Sequence, residues 1–346
     1  MTGGDAAHDL TTAIADAPPP GWDDLWSRTP DAEFTQTSLW SELAARHFPA
    51  AFARWHTVRA GDDLLGGAVL LGRARRGLVR LEGQVEGTVG GPLVRGDLGP
   101  ARRDAVVGRL LRSIADALGG RTGLVALTAS GHDRDRVAAL APPRTWRRDD
   151  YDSAIVDCRG GLDQVGRELW TNNRRNERNR GLKRGATLHS GADVQALTEW
   201  YPLYEAKAAQ WSQAPVPLAF LASLLEAAPG ATSFDHVRLD GAVVAGHVGF
   251  VSRGRLVAWQ GAVRPDLVRT HFPTTLLYWR NVMTACERGL EAVDFGGCVG
   301  RDTLWDFKRR CGAVAEPRTQ LLARSWYGRA HRRFAGLVRG SAGVGP

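Results

Sequence analysis

The chain has 346 residues, of which 43% are hydrophobic and 24% charged, and its 45 basic and 37 acidic residues give a formal net charge of +8. This length favours two domains of ordinary size over a single core. No apolar run approaches the roughly 20 residues that cross a bilayer, so the composition predicts a globular, cytoplasmic protein without membrane insertion. The positive charge favours a polyanionic partner, such as nucleic acid, an anionic membrane surface or a phosphorylated substrate, unless it serves solubility alone.

Cysteine and lysine are both scarce in the sequence. The four cysteines stand far apart without a Cys-x-x-Cys pair, so the sequence predicts neither a metal site nor a disulfide framework. Among the 45 basic residues only Lys183, Lys207 and Lys308 are lysines. Because arginine is the default cation of this chain, each retained lysine raises the question of a specific role.

The first half of the chain is predicted to alternate strands and helices. Residues 1–20 are rich in Ala, Gly, Asp and Pro, lack a signal-peptide pattern and are predicted to form a largely disordered leader. The first domain is placed at 21–150. Its predicted helices are 34–46, with Thr37 or Ser38 as the N-cap, and 101–118. Its predicted strands are 53–58, 64–71, 78–81 and 123–128.

The same plan restarts after a connector at 142–148, and the second domain is placed at 151–318. Its predicted strands are 153–157, 234–239, 242–251, 256–262 and 292–294. Its predicted helices are 161–185 (one helix or a pair), 192–209, 218–228 and 274–288. Asp240-Gly241 and Arg253-Gly254 are predicted hairpin turns. The basic tail at 319–338 is predicted to be a helix that could complete the first domain.

A strand meander, a helix and a further strand, occurring twice, outline an α/β fold of two tandem GNAT-like domains. Each domain is expected to have a mixed central sheet flanked by helices. The second domain is expected to carry the active site.

The segment richest in chemistry runs from Glu291 to Gly312. A predicted strand ends in Asp294-Phe-Gly-Gly, whose glycines allow close approach of a ligand to the backbone, and a turn with Phe307 and Lys308 follows. An aromatic ring, a lysine and flanking arginines would suit the end of a nucleotide chain, through stacking, a point charge and phosphate contacts. The alternative is a surface helix whose cations are solvated and whose phenylalanine is core.

This segment and three others resemble the Fem-type aminoacyltransferases and their FemAB-like GNAT relatives, from about Asp163 to Gly312. Those proteins end their second domain in Asp-Phe-Gly, then Gly-Leu-x-x-Phe-Lys-x-x-aromatic-Gly. Here Thr303 stands in place of the glycine and Cys311 in place of the aromatic residue. The matching blocks are Asp294-Phe-Gly with Thr303-Leu-x-x-Phe-Lys-x-x-Cys-Gly312, the basic stretch 174–185, Val244-Ala-Gly246, and Gly261-Ala262 leading to 273–279. The first domain matches more loosely, through Gln36-x-x-x-Trp40 and Gly91-Pro92.

The resemblance implies an activity and roles for named residues. The protein would move an amino acid from aminoacyl-tRNA, its co-substrate, onto an amine, without a further cofactor or metal. Lys308 would stabilise charge as the amine attacks the ester, and Phe307 would stack near the terminal adenosine. Further contacts to tRNA are expected from Arg175, Arg178, Arg184, Arg301, Arg309 and Arg310. The acceptor or aminoacyl pocket is expected to be lined by Tyr204, Trp211, Trp259, Gln260 and His271.

Two other functions remain open from the sequence. One is acetyl-CoA-dependent N-acetylation, although the stretch 269–274, Arg-Thr-His-Phe-Pro-Thr, lacks the glycines of a CoA pyrophosphate turn. The other is non-catalytic binding of RNA or anionic lipid by a decayed domain, against which the intact Phe307-Lys308 pair argues.

The acceptor and the general base are less defined. Cell-wall members of the family often carry a lysine after Gln-x-x-x-Trp, whereas here Arg46 is the nearest cation, which favours a small-molecule or peptide-like amine, as in natural-product tailoring, over peptidoglycan. The proton of the attacking amine could go to Asp306, His271, the substrate or water. A monomer is favoured.

Overall fold

The structure, a computed structural model, describes residues 9–75, 77–85, 88–131, 133–298 and 300–325. The chain divides into two compact units. Unit 1 comprises the chain up to Asp150 together with the chain from Arg318, and unit 2 comprises Tyr151–Pro317. The boundary falls inside a strand at each end of unit 2.

The first eleven elements run from residue 10 to residue 157. They are β1 (Leu10–Ala15), α1 (Trp22–Arg28), α2 (Ser38–His47), β2 (Ala51–Ala60), β3 (Asp63–Arg75), β4 (Leu78–Glu82), β5 (Leu93–Val94), α3 (Pro100–Asp116), β6 (Thr122–Ala129), α4 (Asp133–Leu140) and β7 (Trp146–Asp157). The Thr37 hydroxyl accepts from the Trp40 amide (3.3 Å), which confirms Thr37 as the N-cap of α2.

The remaining elements run to residue 324. They are α5 (Gly161–Gln164), a π-helical turn (Val165–Leu169), α6 (Asn172–Lys183), β8 (Thr187–His189), α7 (Val194–Gln210), α8 (Leu218–Ala227), β9 (Thr232–Leu239), β10 (Ala242–Ser252), β11 (Arg255–Val263), α9 (Pro273–Glu287), β12 (Ala292–Gly297), α10 (Asp302–Arg310) and β13 (Val314–Arg324). Within the described residues, no helix has both the length and the apolar character that a membrane span requires.

The two units share one strand plan. In unit 1, β1 to β4 form an antiparallel meander, β6 lies parallel beside β4, and β13 lies antiparallel beside β6. In unit 2, β8 to β11 form the meander, β12 lies parallel beside β11, and β7 lies antiparallel beside β12. The connection between the parallel strands contains α3 in unit 1 and α9 in unit 2. The predicted pair of mixed sheets flanked by helices is therefore confirmed.

Both predicted hairpin turns of unit 2 are present, one on each side of β10. Asp240 and Gly241 have φ of 48° and 82°, and Arg253 and Gly254 have φ of 46° and 75°. Two consecutive left-handed residues are what a two-residue type I′ turn requires, and glycine at the second position lowers its cost.

The predictions for the two ends of the chain are wrong where the structure describes them. Residues 319–324 belong to β13 and not to a helix, and the alternate residues Thr319, Leu321 and Ala323 are 0%, 1% and 0% exposed. This period of two fits a half-buried strand, and the segment pairs with β6. The rest of the predicted helix lies outside the described residues. The predicted leader contains β1, whose Leu-Thr-Thr-Ala-Ile-Ala pairs with β2 along its whole length.

The motif residues of the first domain contact each other inside unit 1. The Gln36 side chain donates from Nε2 to the Gly91 carbonyl (2.8 Å), and the Trp22 indole donates to the Gln36 carbonyl (2.9 Å). Gln36 and Trp40 are both buried. These residues therefore tie the segment before α2 to the segment before β5.

Candidate active site

The parallel strands of unit 2 separate part-way along their length. β11 and β12 are paired at Arg255–Val257 and Ala292–Asp294, and the described residues show no pairing between them beyond these positions. β11 then continues to Val263 and β12 to Gly297. We call the space between 258–263 of β11 and 295–297 of β12 the strand gap. Backbone groups facing it need partners other than the neighbouring strand.

Lys308 supplies such a partner on the β12 side of the strand gap. The segment predicted to be a turn is the helix α10, which carries Lys308. Its Nζ donates to the carbonyls of Phe295 (2.5 Å) and Gly296 (3.0 Å), with the Gly297 carbonyl at 3.5 Å. The residue is only 3% exposed. Burial lowers the pKa of Lys308, while Cys298 raises it.

Lys207 occupies the corresponding place on the β11 side. It extends from α7, and its Nζ donates to the Gly261 carbonyl. The Nζ lies 4.5 Å from the centroid of the Trp211 ring, and the guanidinium carbon of Arg301 lies 4.1 Å from the same centroid. Burial, together with the nearby charges of Arg301 and Lys308, lowers the pKa of Lys207 to about 8. Trp211 was predicted to bind substrate and Arg301 to bind tRNA. Both lie next to the strand gap, because Trp211 contacts Lys207 and Arg301 stacks on Trp211.

His247 stands behind Gly261, on the neighbouring strand β10, and is paired with it. A Cβ at position 261 would lie 1.8 Å from His247 Cδ2, so only glycine leaves room for the ring. The Asn281 amide nitrogen donates to buried Asp235 (2.6 Å), which turns the Asn281 oxygen towards His247 Nδ1 (2.7 Å). Nδ1 therefore carries the proton and Nε2 is the free acceptor. Burial lowers the pKa of His247 to about 3, and Lys207 and Lys308 contribute in the same direction.

The arginines of α6 are packed on aromatic rings. Arg178 lies 4.3 Å from the centroid of Trp279, and Arg180 and Arg184 lie 5.1 and 5.9 Å from that of Phe272. Arg184 also donates to the Thr270 carbonyl. These cations connect α6 to Phe272 and to Trp279 of α9, and the binding of tRNA by Arg178 and Arg184 stays a prediction. Arg175 donates to the Arg167 carbonyl and the Asn172 side chain.

Phe307 is a packing residue in this structure. The Arg174 guanidinium lies 4.6 Å from its ring centroid, and Tyr278 meets the ring edge-to-face at 5.0 Å. One face is therefore already covered, so the predicted stacking on an adenosine does not fit that face. Arg309 and Arg310 are exposed at the end of α10, where both pair with Asp306 (2.9 and 2.6 Å).

Three of the predicted pocket residues lie along α7 and β11. Tyr204 donates to the Gln260 side chain (3.0 Å) and accepts from the Val216 amide (3.1 Å), so it ties β11 to the segment before α8. Trp259 is half-buried and meets Phe220 edge-to-face. His271 lies elsewhere, in the loop before α9, where its ring contacts the Thr270 hydroxyl (3.0 Å).

The loop before α9 has few free backbone donors. The amides of Thr270 and His271 both donate to the Leu267 carbonyl (3.1 and 2.8 Å), and Pro273 has no amide hydrogen. Phe272 has a left-handed φ of 55°, which is unusual for a bulky residue. A turn that binds a pyrophosphate needs several free backbone amides at the start of the helix. In this loop two amides are already hydrogen-bonded within the loop, and a third position is a proline without an amide hydrogen.

Lys207, His247 and Asn281 were not predicted as site residues. The scarcity of lysine was a usable signal for Lys207, because two of only three lysines meet the strand gap. No pattern in the sequence marked His247 or Asn281, whose importance depends on the β10 to β11 register and on which face of α9 is buried.

Comparison with known proteins identifies the domain type of this region. The family model described as "Acetyltransferase (GNAT) domain" matches residues 169–309, which span α6 to α10 and include both lysines of the strand gap. No curated protein matches the chain significantly.

Several solved structures share the fold at low sequence identity. FemX covers 89% of this chain and 96% of its own, with a TM-score of 0.65 and 13% identity. L-PGS from Bacillus licheniformis covers 91% and 95%, with a TM-score of 0.58 and 14% identity. A tandem GNAT protein from the clavulanic acid biosynthesis pathway covers 91% and 98%, with a TM-score of 0.56 and 15% identity. The chain therefore has the Fem-like, tandem GNAT acyltransferase fold.

Proposed function

We propose that this protein transfers an amino acid from aminoacyl-tRNA to the amine of a small-molecule or peptide-like acceptor. The observation that carries the proposal is the position of Lys308. It is a nearly buried ammonium group at the separated end of β12, held by two backbone carbonyls at hydrogen-bond distance. Its third contact, at 3.5 Å, is at the limit of a hydrogen bond, which leaves one N–H to turn towards a substrate.

The reaction needs an oxyanion site and no protein nucleophile. The acceptor amine attacks the ester carbonyl carbon, forming a C–N bond while the carbonyl electrons move onto oxygen. Lys308 stabilises this oxyanion in a water-poor place, where a fixed charge acts strongly. The tetrahedral intermediate then collapses, the C–O bond breaks, and the ribose hydroxyl of the tRNA leaves with a proton while the amine has lost one.

Transfer from acetyl-CoA is the second candidate, and the GNAT family match over residues 169–309 favours it. The loop before α9 opposes it. The amides of Thr270 and His271 are bonded to Leu267 and Pro273 has none, so a pyrophosphate would find few donors there.

The donor would be held by exposed cations of unit 2. Arg184, Arg301, Arg309 and Arg310 are exposed, and Arg175 and Arg178 are half-buried on the basic helix α6. Binding of tRNA through such groups should weaken steeply as salt is raised. A tRNA donor also implies work in the cytoplasm. One fold neighbour belongs to the clavulanic acid biosynthesis pathway, which supports the idea of natural-product tailoring over peptidoglycan synthesis.

The test is a transfer assay with a pool of radiolabelled aminoacyl-tRNAs, run beside labelled acetyl-CoA with the same panel of amines. We expect label to move from one aminoacyl-tRNA to an amine. Acetylation without tRNA binding would replace this proposal with the acetyl-CoA reaction.

Variants separate chemistry from binding. Lys308→Met should lower the single-turnover rate by 10²-fold or more, the usual effect of removing an oxyanion donor, with little change in tRNA affinity. Arg309→Glu combined with Arg310→Glu should weaken tRNA binding and flatten its salt dependence, with less effect on the rate at saturating tRNA. An unchanged single-turnover rate in Lys308→Met would exclude its role.

A further inference from the structure

The strand gap is flanked by two lysines with different surroundings. Lys308 donates to carbonyls of β12, and Lys207 donates to the Gly261 carbonyl of β11. The charges of Lys207 and Lys308 both lower the pKa of His247, so the two lysines have a common neighbour at the strand gap. The third lysine, Lys183, is exposed at the end of α6.

The surroundings of Lys207 disfavour its charged form. The charged or titratable groups that face it are Arg301, Lys308 and His247, and no carboxylate of the described residues forms an ion pair with it. Trp211 covers it on one side, and a single carbonyl accepts from it. Burial and like charges together lower the pKa of Lys207 to about 8.

The surroundings of Lys308 favour the charged form more strongly. Two carbonyls accept at 2.5 and 3.0 Å and a third lies at 3.5 Å. Burial and the charge of Arg301 lower the pKa of Lys308, while Cys298 and Asp294 oppose this lowering. When two groups of one type are placed in environments that differ in this way, they are suited to different parts of acid–base chemistry.

We propose that Lys207 is the general base of the transfer reaction, and that Lys308 across the strand gap is its charged partner. The inference rests on the proposed function. The neutral Lys207 amine takes the proton of the attacking acceptor amine as the C–N bond forms. It returns that proton to the ribose oxygen as the C–O bond breaks, so that Lys207 ends neutral and no other co-reactant is required.

The other candidates for the base fit less well. Asp306 is exposed, and its pairing with Arg309 and Arg310 lowers its pKa. His271 lies in the loop before α9 and not on the strand gap. The low pKa of His247, about 3, makes it a weak base at neutral pH.

A labelling experiment tests Lys207 without any substrate of the enzyme. The full-length protein is pulsed with acetic anhydride across a pH series, and each lysine is quantified by peptide mass spectrometry. We expect half-maximal reactivity of Lys207 near pH 8, and a shift to higher pH in Arg301→Met, which removes a repelling charge. A midpoint near 10.5, the ordinary value for lysine, overturns the proposal whatever reaction the protein catalyses.

A kinetic experiment tests the catalytic role. Hydroxylamine is used as the acceptor, because it is already unprotonated at neutral pH and does not add its own titration. Single-turnover transfer by the wild type should rise with pH and level off above about pH 8. In Lys207→Met the rate should fall at least tenfold, and the rising limb should disappear, whereas Lys183→Met should keep the wild-type profile.

The outcomes separate the two proposals. If aminoacyl transfer occurs and Lys207→Met keeps both the rate and the rising limb, the general-base assignment is wrong and the aminoacyltransferase function stands. If neither variant nor wild type transfers from any aminoacyl-tRNA, the function fails, and the base assignment fails with it even where labelling shows a reactive Lys207.

Discussion

The guanidinium of Arg174 lies 4.6 Å from the ring centroid of Phe307, and this pair joins α6 to α10 inside unit 2. Arg174 also bonds to Glu177 (2.6 Å) and to the Thr275 hydroxyl (3.2 Å), and it is largely buried. One side chain therefore connects α6, α9 and α10, the last of which carries Lys308. The contact between Arg174 and Phe307 therefore helps to fix the position of α10 and of its candidate catalytic residue, Lys308.

Replacing Arg174 by lysine should weaken this connection while keeping the charge. A lysine has no planar group to lie on the ring and cannot reproduce the forked hydrogen bonds. We expect Arg174→Lys to lower the free energy of unfolding by about 1–2 kcal/mol, measured by urea denaturation. Arg175→Lys is the matched control, because the side chain of this neighbouring arginine bonds to the Arg167 carbonyl and to Asn172 and, among the described residues, stacks on no aromatic ring. If both variants lost the same free energy of unfolding, the stacking of Arg174 on Phe307 would make no measurable contribution to stability.

Gly261 has no room for a side chain, because the ring of His247 lies across it. An added Cβ would meet His247 Cδ2 at 1.8 Å and Nε2 at 2.2 Å, so the ring must leave its place and its bond to Asn281. We expect Gly261→Ala to cost about 1–3 kcal/mol, as overpacking does. Gly108→Ala is the control, for which the free energy of unfolding should change in the opposite direction. Nothing lies within 4 Å of the Cβ it adds in α3, so we expect a gain of about 0.5–1 kcal/mol.

A double variant identifies the cause of the Gly261→Ala loss. With His247→Ala in the same chain the new methyl group has space, so the two losses should not add, and the coupling should be about 0.5–3 kcal/mol. Additive losses in thermal or urea unfolding would mean that the backbone at Gly261, and not the ring of His247, is what the alanine disturbs.

The low pKa of Lys207 predicts a pH-dependent stability difference. Its folded-state pKa of about 8 is below the ordinary 10.5, so between these values the unfolded chain binds more protons and stability rises with pH. Below pH 8 the wild type carries the full cost of the buried charge. Lys207→Met should therefore be stabilised relative to wild type by about 1–2 kcal/mol at pH 7, after allowance for solvent screening.

This stability gain should shrink as the pH is raised from about 8 through 10.5, because the wild-type lysine is then neutral in the folded state and progressively loses its proton in the unfolded chain. Urea unfolding of the two proteins at pH 7, 9 and 10.5 checks the trend. Lys183→Met, at the exposed end of α6, should run parallel to wild type across the series. A constant difference for Lys207→Met would mean that its effect comes from side-chain packing and not from charge.

The strand and helix plan could be predicted from local patterns, because each unit alternates short apolar strands with amphipathic helices. Turn chemistry was equally local: Asp240-Gly241 and Thr37 act as the sequence indicated. Lys308 was found because its neighbours match a family motif. What could not be predicted was long-range pairing, such as the separation of β11 from β12 that brings Lys207 and Lys308 to one gap.

The same limit explains why the ring contact of Arg178 was not predicted and why the tail was wrongly predicted to be a helix. A basic helix looks solvated when only its own residues are considered, whereas the ring that lies against half-buried Arg178 belongs to Trp279, far along the chain in α9. The tail is basic and contains good helix formers. Its residues 319–324 nevertheless form a strand, because after unit 2 the chain returns to unit 1 and supplies the strand that pairs with β6.

The final prediction concerns that last strand. Leu321 of β13 is 1% exposed and belongs to the core of unit 1, opposite Leu127 of β6. Leu321→Asp would bury an unpaired carboxylate, so we expect a loss of about 3 kcal/mol or more. Gln320→Asp, one residue earlier and half-buried, should cost less than about 1 kcal/mol. Hydrogen exchange read by mass spectrometry gives a local check, because loss of β13 should remove protection from the amides of β6 in Leu321→Asp alone. Protection of β6 that survives this substitution would show that β13 is dispensable for the sheet of unit 1.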